Sequence, residues 1–377
     1  MRIKQKLLMA SSLTIVLAVS FIVNAQTSKP EKTLQPPKLP ERMRGSTCHG
    51  NLLTHAEVRR LAQLGINFLR INFTADDTKL QRKKIISSPE TPLIHCKKSI
   101  QNLKATLAAC KEYGISVMIC CCAAEARPGK DASTKELDEL GDRISRFWKA
   151  FATEFKNDKT IVAYDTYGEP NFDNIEAWNK QQEKAINAIR SVNPTMWLVI
   201  EPCPYGLASA YENFKPFGDP YVIYDVQFYD PHSYTHQGVH KLPEHLPQYQ
   251  SEYLRGKLVY PGNLRMFPGS KTEYWDKEKL REQLRYVVEF QKKNQCRIMV
   301  GEFGVVRWAP GREKWIKNVL ELFEEYGWDW AFHSLNSWNG WNPTFAPDDP
   351  ETGEPDGYLE TETFKELKAG WAKNKKR

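Results

Sequence analysis

Two glutamates carry the pattern that could do chemistry in this chain of 377 residues. Glu169 sits in Ile161 to Asn171, IVAYDTYGEPN, where a short apolar run stops at a carboxylate fixed between Gly168 and Pro170. Glu302 sits in Arg297 to Gly304, RIMVGEFG, with the same design. One such residue alone is usually solvated or ion-paired. Two of them, each at the end of a buried strand, supply what acid/base catalysis with a partner nucleophile requires. Around them, other apparent strand ends offer Arg70 and Asn72, Asn171, Glu201, then Tyr229, His232 and Tyr234, and finally His333, Asn336, Trp338 and Trp341. Carboxylates, amides, imidazoles and aromatic rings together suit a sugar, whose hydroxyls need donors and acceptors while its CH faces stack on rings.

The elements that must position these residues alternate in type. Short apolar runs predict strands at Met43–Cys48, Ile66–Phe73, Ile115–Cys122, Ile161–Tyr167, Met196–Glu201, Tyr221–Phe228, Arg297–Glu302 and Trp328–Leu335. Helical spacing predicts helices at Thr54–Leu64, Lys97–Tyr113, Ser133–Phe155, Asp173–Ser191, Trp275–Lys293, Gly311–Tyr326 and Glu360–Ala372. Thr54 with Glu57, and Ser133 with Glu136, are spaced as capping boxes, and Asp173 with Glu176 repeats the spacing. Strands separated by helices imply parallel pairing through right-handed crossovers, and eight such units close into a single-domain (β/α)8 barrel. A doubly wound nucleotide-binding sheet is the competitor, but RGSTCHGN after the first strand is not a GxGxxG turn. In barrels the chemistry sits at the carboxyl ends of the strands, where Glu169 and Glu302 fall.

With those motifs in place, the chain resembles glycoside hydrolase family 5 over roughly Glu41 to Ala372. Gly168-Glu169-Pro170 matches the family's Asn-Glu-Pro after strand four, Gly301-Glu302-Phe303-Gly304 its nucleophile segment, His232-Ser233-Tyr234 its His-x-Tyr, and Arg70 its strand-two arginine. The resemblance implies retaining hydrolysis, with Glu302 as nucleophile, Glu169 as acid/base, and the carboxyls about 5–5.5 Å apart. Arg70 and Tyr234 would hold Glu302 ionised. Asn171, His232, His333, Trp338 and Trp341 would bind or orient the sugar, His333 and Trp338 both being candidates for the family's eighth-strand tryptophan. Two departures stand out. Gly168 replaces the asparagine that holds the sugar 2-hydroxyl, leaving Asn171 or the Cys122–Arg127 loop to reach it. No histidine follows strand three, where Glu125 or Arg127 could fill the space.

The rest of the chain is consistent with an exported enzyme. Residues 1–25 have a basic start, an apolar run and small residues at Val23-Asn24-Ala25, as in a secretory signal peptide. Residues 26–40, rich in proline, read as a linker, and 41–377 as the catalytic barrel. The formal net charge of +7 includes three cations of the leader, so the mature chain stands near +4, too mild to imply nucleic-acid binding. No further run is long enough to span a membrane. The expected product is thus a secreted or periplasmic monomer acting on a β-linked polysaccharide. A cellulase-like endo-β-1,4-glucanase is expected, with mannan or another hemicellulose as the next substrate, and a non-catalytic sugar-binding barrel as the rival of another class. No cofactor is implied. His232, His236 and His240 would align as metal ligands on a helix, but Pro231 and Gly238 disfavour that helix, so no metal is assigned. Most of the eight cysteines read as small buried residues, with one or two disulfides open among Cys48, Cys96, Cys110, Cys203 and Cys296.

Overall fold

The computed structural model describes residues 35–50, 52–74, 93, 96–121, 128–241, 248, 250–349 and 359–374. The expected leader, residues 26–34 of the expected linker, and the loop residues 122–127 lie outside them. Strands run β1 Arg44–His49, β2 Phe68–Phe73, β3 Ser116–Cys121, β4 Ile161–Asp165, β5 Trp197–Ile200, β6 Val222–Phe228, β7 Gly262–Arg265, β8 Thr272–Trp275, β9 Arg297–Phe303 and β10 Asp329–Phe332. Eight of these pair in parallel and close in the order β1-β10-β9-β6-β5-β4-β3-β2. The helices lie between them as the periodicity predicts. Lys97–Tyr113 ends at Gly114 in the left-handed conformation, and both capping boxes, Thr54 with Glu57 and Ser133 with Glu136, are formed.

Four details differ from the sequence reading. The helix after β4 runs Ile175–Arg190 and takes its cap from Asn174, whose side chain accepts from the Ala177 N–H, rather than from Asp173. The predicted Trp275–Lys293 helix is two helices, Lys277–Gln283 and Arg285–Asn294. The long segment after β6 contains an antiparallel hairpin, β7 on β8. Its strands have four residues each and are half exposed, so they carry little apolar alternation to read. Finally, no disulfide joins the five candidates Cys48, Cys96, Cys110, Cys203 and Cys296 to one another. Cys48, Cys96 and Cys110 are packed in the apolar core.

The barrel interior is layered by the two-residue repeat of a strand. Met43, Phe68, Met118, Ala163, Val199, Ile223, Met299 and Ala331 form an apolar cluster inside the barrel. Leu39 and Trp197 pack against it, and the Trp197 Nε1–H and Arg297 Nη2 donate to the Pro37 and Pro40 carbonyls at 3.0 Å. The last residues of the expected linker therefore form the barrel floor. Two residues further along the same strands come Arg70, Cys120, Asp165, Glu201, Asp225, Gly301 and His333. A second, larger apolar core lies between the barrel and its helices. The barrel is thus greasy below and charged above.

Candidate active site

Arg70 is the centre of the charged layer. Its guanidinium, 1% exposed, contacts three carboxylates. Nη2 donates to Asp165 Oδ2 at 2.8 Å and to Glu201 Oε1 at 3.2 Å, while Nη1 donates to Glu302 Oε1 in a shorter contact. Nη2 also lies 3.3 Å from Cys120 Sγ. Asp225, equally buried, accepts from the Gly301 N–H and from Gln227 Nε2. Gly301 is required there, because a methyl group on it would sit 2.0 Å from Asp225 Oδ2. Beside it the β6–β9 register shifts between Val226 and Gln227, so Gln227 pairs with Glu302 and the glutamate is delivered to the cleft.

Glu302 is held by groups from four strands. Besides Arg70, the Tyr229 hydroxyl donates to Oε2 at 3.1 Å. His333 Nδ1 lies 3.3 Å from the same oxygen, close enough for charge pairing but not aligned as a hydrogen bond. The His49 ring stands edge-on to His333 at 5.2 Å, and Asn72 Nδ2 meets His49 Nε2 at 3.3 Å. Burial alone would raise the Glu302 carboxyl; the charges of His333, Arg70 and His49 and the Tyr229 hydrogen bond outweigh it and hold it below the ordinary range. Burial also lowers His333, against the pull of Glu302, so the dependable cation beside Glu302 at neutral pH is Arg70. Tyr229 is pushed well up by burial and by the charges of Glu302 and Glu169, so its phenol keeps the proton that it donates to Glu302.

The other carboxylates balance the layer. Glu201 and Asp225 are both pushed well above the carboxylate range: burial is the main cause, and neighbouring carboxylates add to it. One guanidinium cannot neutralise four carboxylates out of water, so part of the layer holds protons. Asp165, Glu201 and Asp225 come within 4.8 Å of one another, which is also metal-ligand spacing, but two of the three, Asp165 and Glu201, already pair with the Arg70 guanidinium.

The remaining sequence-predicted residues divide. Glu169 follows β4 in the left-handed region at φ 49°, and its N–H donates to Glu201 Oε2 at 2.5 Å. A Cβ on Gly168 would lie 3.3 Å from Cys120 Sγ and 3.4 Å from Arg70 Nη2. The space an asparagine would enter is therefore occupied by the arginine layer. Asn171 Nδ2 donates to the Tyr205 hydroxyl. Trp341, 9% exposed, stands 5.9 Å from Tyr229 and 5.7 Å from His333, and Trp338 packs edge-on against Trp341 and Trp308. Tyr234 corrects an expectation. It is fully buried and its hydroxyl donates to the Pro310 carbonyl at 3.0 Å, so Tyr229, the first residue after β6, contacts Glu302 in its place. His232 stacks on His236 at 3.8 Å with rings 9° apart, and His236 meets Trp341 edge-on at 4.9 Å. Parallel rings point their in-plane lone pairs along parallel planes, which suits a flat wall and not convergent metal ligation. His49, Asp165, Asp225 and Gln227 were absent from the sequence reading. Their signal was present: a polar residue two positions beyond an apolar one inside a buried strand, as Asp225 follows Ile223 in VIYDVQF.

Known proteins resemble this chain in sequence and in fold. The profile described as Cellulase (glycosyl hydrolase family 5) matches residues 34–339. Endoglucanase C of Acetivibrio thermocellus is 26% identical over 295 residues, covering 73% of this chain and 81% of that protein. Cellodextrinase A of Ruminococcus flavefaciens is 21% identical over 209 residues, covering 55% of this chain and 57% of its own. Among solved structures, a hyperthermophilic endo-β-1,4-glucanase in complex with substrate superposes with a TM-score of 0.64 at 21% identity, covering 87% of this chain and 97% of the other. Thermotoga maritima Cel5A in complex with mannotriose gives a TM-score of 0.64 at 19% identity, with the same coverage.

Proposed function

The chain belongs to glycosyl hydrolase family 5 and is a glycoside hydrolase, and on that footing we propose that it cleaves β-1,4-linked glucan internally by a retaining double displacement. The observation that carries the reading is the environment of Glu302. A carboxylate kept ionised by Arg70 and Tyr229 at the mouth of a barrel is prepared to attack an anomeric carbon. Glu302 forms the glycosyl ester as Glu169 gives its proton to the departing oxygen. Glu169 then takes a proton from water, which attacks the anomeric carbon and frees Glu302. Arg70, paired to Glu302 from beneath, keeps the nucleophile ionised before attack and accommodates its charge when it leaves. Trp341 and the His232–His236 stack form one wall on which sugar faces can lie. We also propose that the enzyme is exported and works as a monomer. The basic and apolar start of the chain supports export, and no helix among the described residues is long and apolar enough to cross a membrane.

Mannan is the second reading. Mannose differs from glucose at C2, and Gly168 offers no amide to read that centre. Rates on soluble β-1,4-glucan and β-1,4-mannan, with the anomer of the first product followed by NMR, test both readings. Retained configuration with glucan preferred is the expected result. Inverted product rejects the double displacement, and preference for mannan moves the substrate. Glu302→Ala should abolish turnover of every substrate. Glu169→Ala should spare activated aryl glycosides relative to polysaccharide, with partial rescue by azide; equal losses without rescue would reverse the assignment.

A further inference from the structure

We infer that Glu201 is a positioning residue for the acid/base: through the loop that follows β5 it sets where the Glu169 carboxyl stands. The inference rests on the assignment of Glu169 as acid/base and asks what holds that residue in place. Four consecutive residues, Glu169 to Phe172, are each tied to Glu201–Tyr205. The Glu169 N–H donates to Glu201 Oε2 at 2.5 Å, and the Tyr205 N–H donates to the Pro170 carbonyl at 2.6 Å. Asn171 Nδ2 donates to the Tyr205 hydroxyl, and the Phe172 N–H points to Cys203 Sγ at 3.2 Å. Only the first of these bonds reaches the residue that carries the proton. It fixes a backbone in the left-handed region, which L residues other than glycine seldom adopt unaided.

Glu201 can act as an anchor because it is itself fixed. It is 1% exposed, and its other oxygen accepts from Gln227 Nε2 at 2.9 Å and Arg70 Nη2 at 3.2 Å. Gln227 is anchored in turn, its N–H donating to the Gly206 carbonyl at 2.9 Å. The same guanidinium that pairs with Glu302 therefore holds the carboxylate that holds Glu169. Three donors converge on Glu201, so a side chain with one acceptor oxygen cannot serve them all. Gly206 closes the far side: a Cβ there would stand 3.2 Å from Glu201 Oε2 and 3.0 Å from Gln227 Cγ.

The test is Glu201→Gln, assayed with paired β-glucosides of one cello-oligosaccharide that carry either an unactivated or a dinitrophenyl leaving group. A misplaced acid penalises only the leaving group that needs a proton. Expected is a fall of about 30-fold or more in kcat/KM for the unactivated substrate, carried by kcat rather than KM. Glycosylation by the dinitrophenyl substrate should stay within about 3-fold, read from trapping of Glu302 by a 2-fluoro glycoside. The basic limb of the pH profile should shift, because Glu169 loses its fixed surroundings. Equal losses on both leaving groups, or slowed trapping, would overturn the inference and assign Glu201 to support of Arg70 and the nucleophile. No loss on either would overturn it as well. The ratio of the two rates does not depend on how much protein folds. If Glu201→Gln yields none, Gly206→Ala, which crowds Glu201 Oε2 and strains the left-handed turn that carries it without changing charge, must move the ratio in the same direction, and an unchanged ratio rejects the idea. Failure of the underlying acid/base assignment is separate, since it would appear in Glu169→Ala as a loss without leaving-group dependence.

Discussion

The two tyrosines after β6 show how finely the site is set. Tyr229 donates to Glu302, while Tyr234, five residues on, donates to a backbone carbonyl in the core. Tyr229→Phe should therefore raise the Glu302 pKa and move the acid limb of the pH–activity profile to higher pH, because the nucleophile is then protonated sooner. A loss of about 10-fold or more in kcat/KM is expected, since a hydrogen bond to a charged group is worth about 1.5–3 kcal/mol. Tyr234→Phe should leave the acid limb in place and lower stability by about 1 kcal/mol, the worth of one buried hydrogen bond. A pH titration of kcat/KM beside thermal unfolding separates the two. If Tyr234→Phe moves the limb and Tyr229→Phe does not, the position of Glu302 is wrong. The sequence placed both residues just past a strand end, and nothing in a single chain says which one faces the cleft. The loop's path decides that.

Elements were more legible than residues. Capping boxes fixed two helix starts, Gly114 fixed a helix end, and eight apolar runs became the eight barrel strands. The charged layer escaped notice for a physical reason. Asp165 and Asp225 lie in strands otherwise made of core residues, and a buried carboxylate is so costly alone that its role is invisible until its arginine is known. The hairpin β7–β8 escaped because half-exposed strands of four residues have no strong pattern. Between elements, Arg44 on β1 clamps Glu324 of the Arg312–Tyr326 helix with Nε at 2.7 Å and Nη2 at 2.8 Å. Burial pushes Glu324 up, but the Arg44 hydrogen bonds and charge outweigh it and hold it at about 2. Its folded value lies below the unfolded one, so the clamp's stability is present above about pH 4.3 and is lost as pH falls toward 2. Glu324→Gln should cost about 1–3 kcal/mol near pH 7 and almost nothing near pH 2, measured by urea unfolding at both. An equal cost at both pH values would show that packing, not charge, joins the helix to β1.

For the whole molecule, composition misplaced the domain's edge. Proline and lysine made residues 26–40 read as a linker, yet Leu39 packs on the barrel interior and the Gln35, Pro37 and Pro40 carbonyls accept from Thr195, Trp197 and Arg297. A chain starting at Glu41 should be less stable than one starting at Gln35 by about 2–4 kcal/mol, from one partly buried leucine and the lost hydrogen bonds. Its kcat/KM should be unchanged, because the floor and the cleft are at opposite ends of the strands. Equal melting temperatures for the two chains would show that this segment only lies on the surface.

The layered interior also bears on how such an enzyme can diverge. The apolar floor tolerates exchange one residue at a time, since side chains of similar volume repack at small cost. The charged layer does not, because removing one partner strands a buried charge, at about 3–5 kcal/mol. Lineages can therefore drift through Met43, Val199 or Ile223 by independent steps, whereas Arg70, Asp165, Glu201 and Asp225 must change together or stay. In this chain, Gly168 and Glu201 meet at the same guanidinium, so a side chain added at 168 would press on the partner that Glu201 uses.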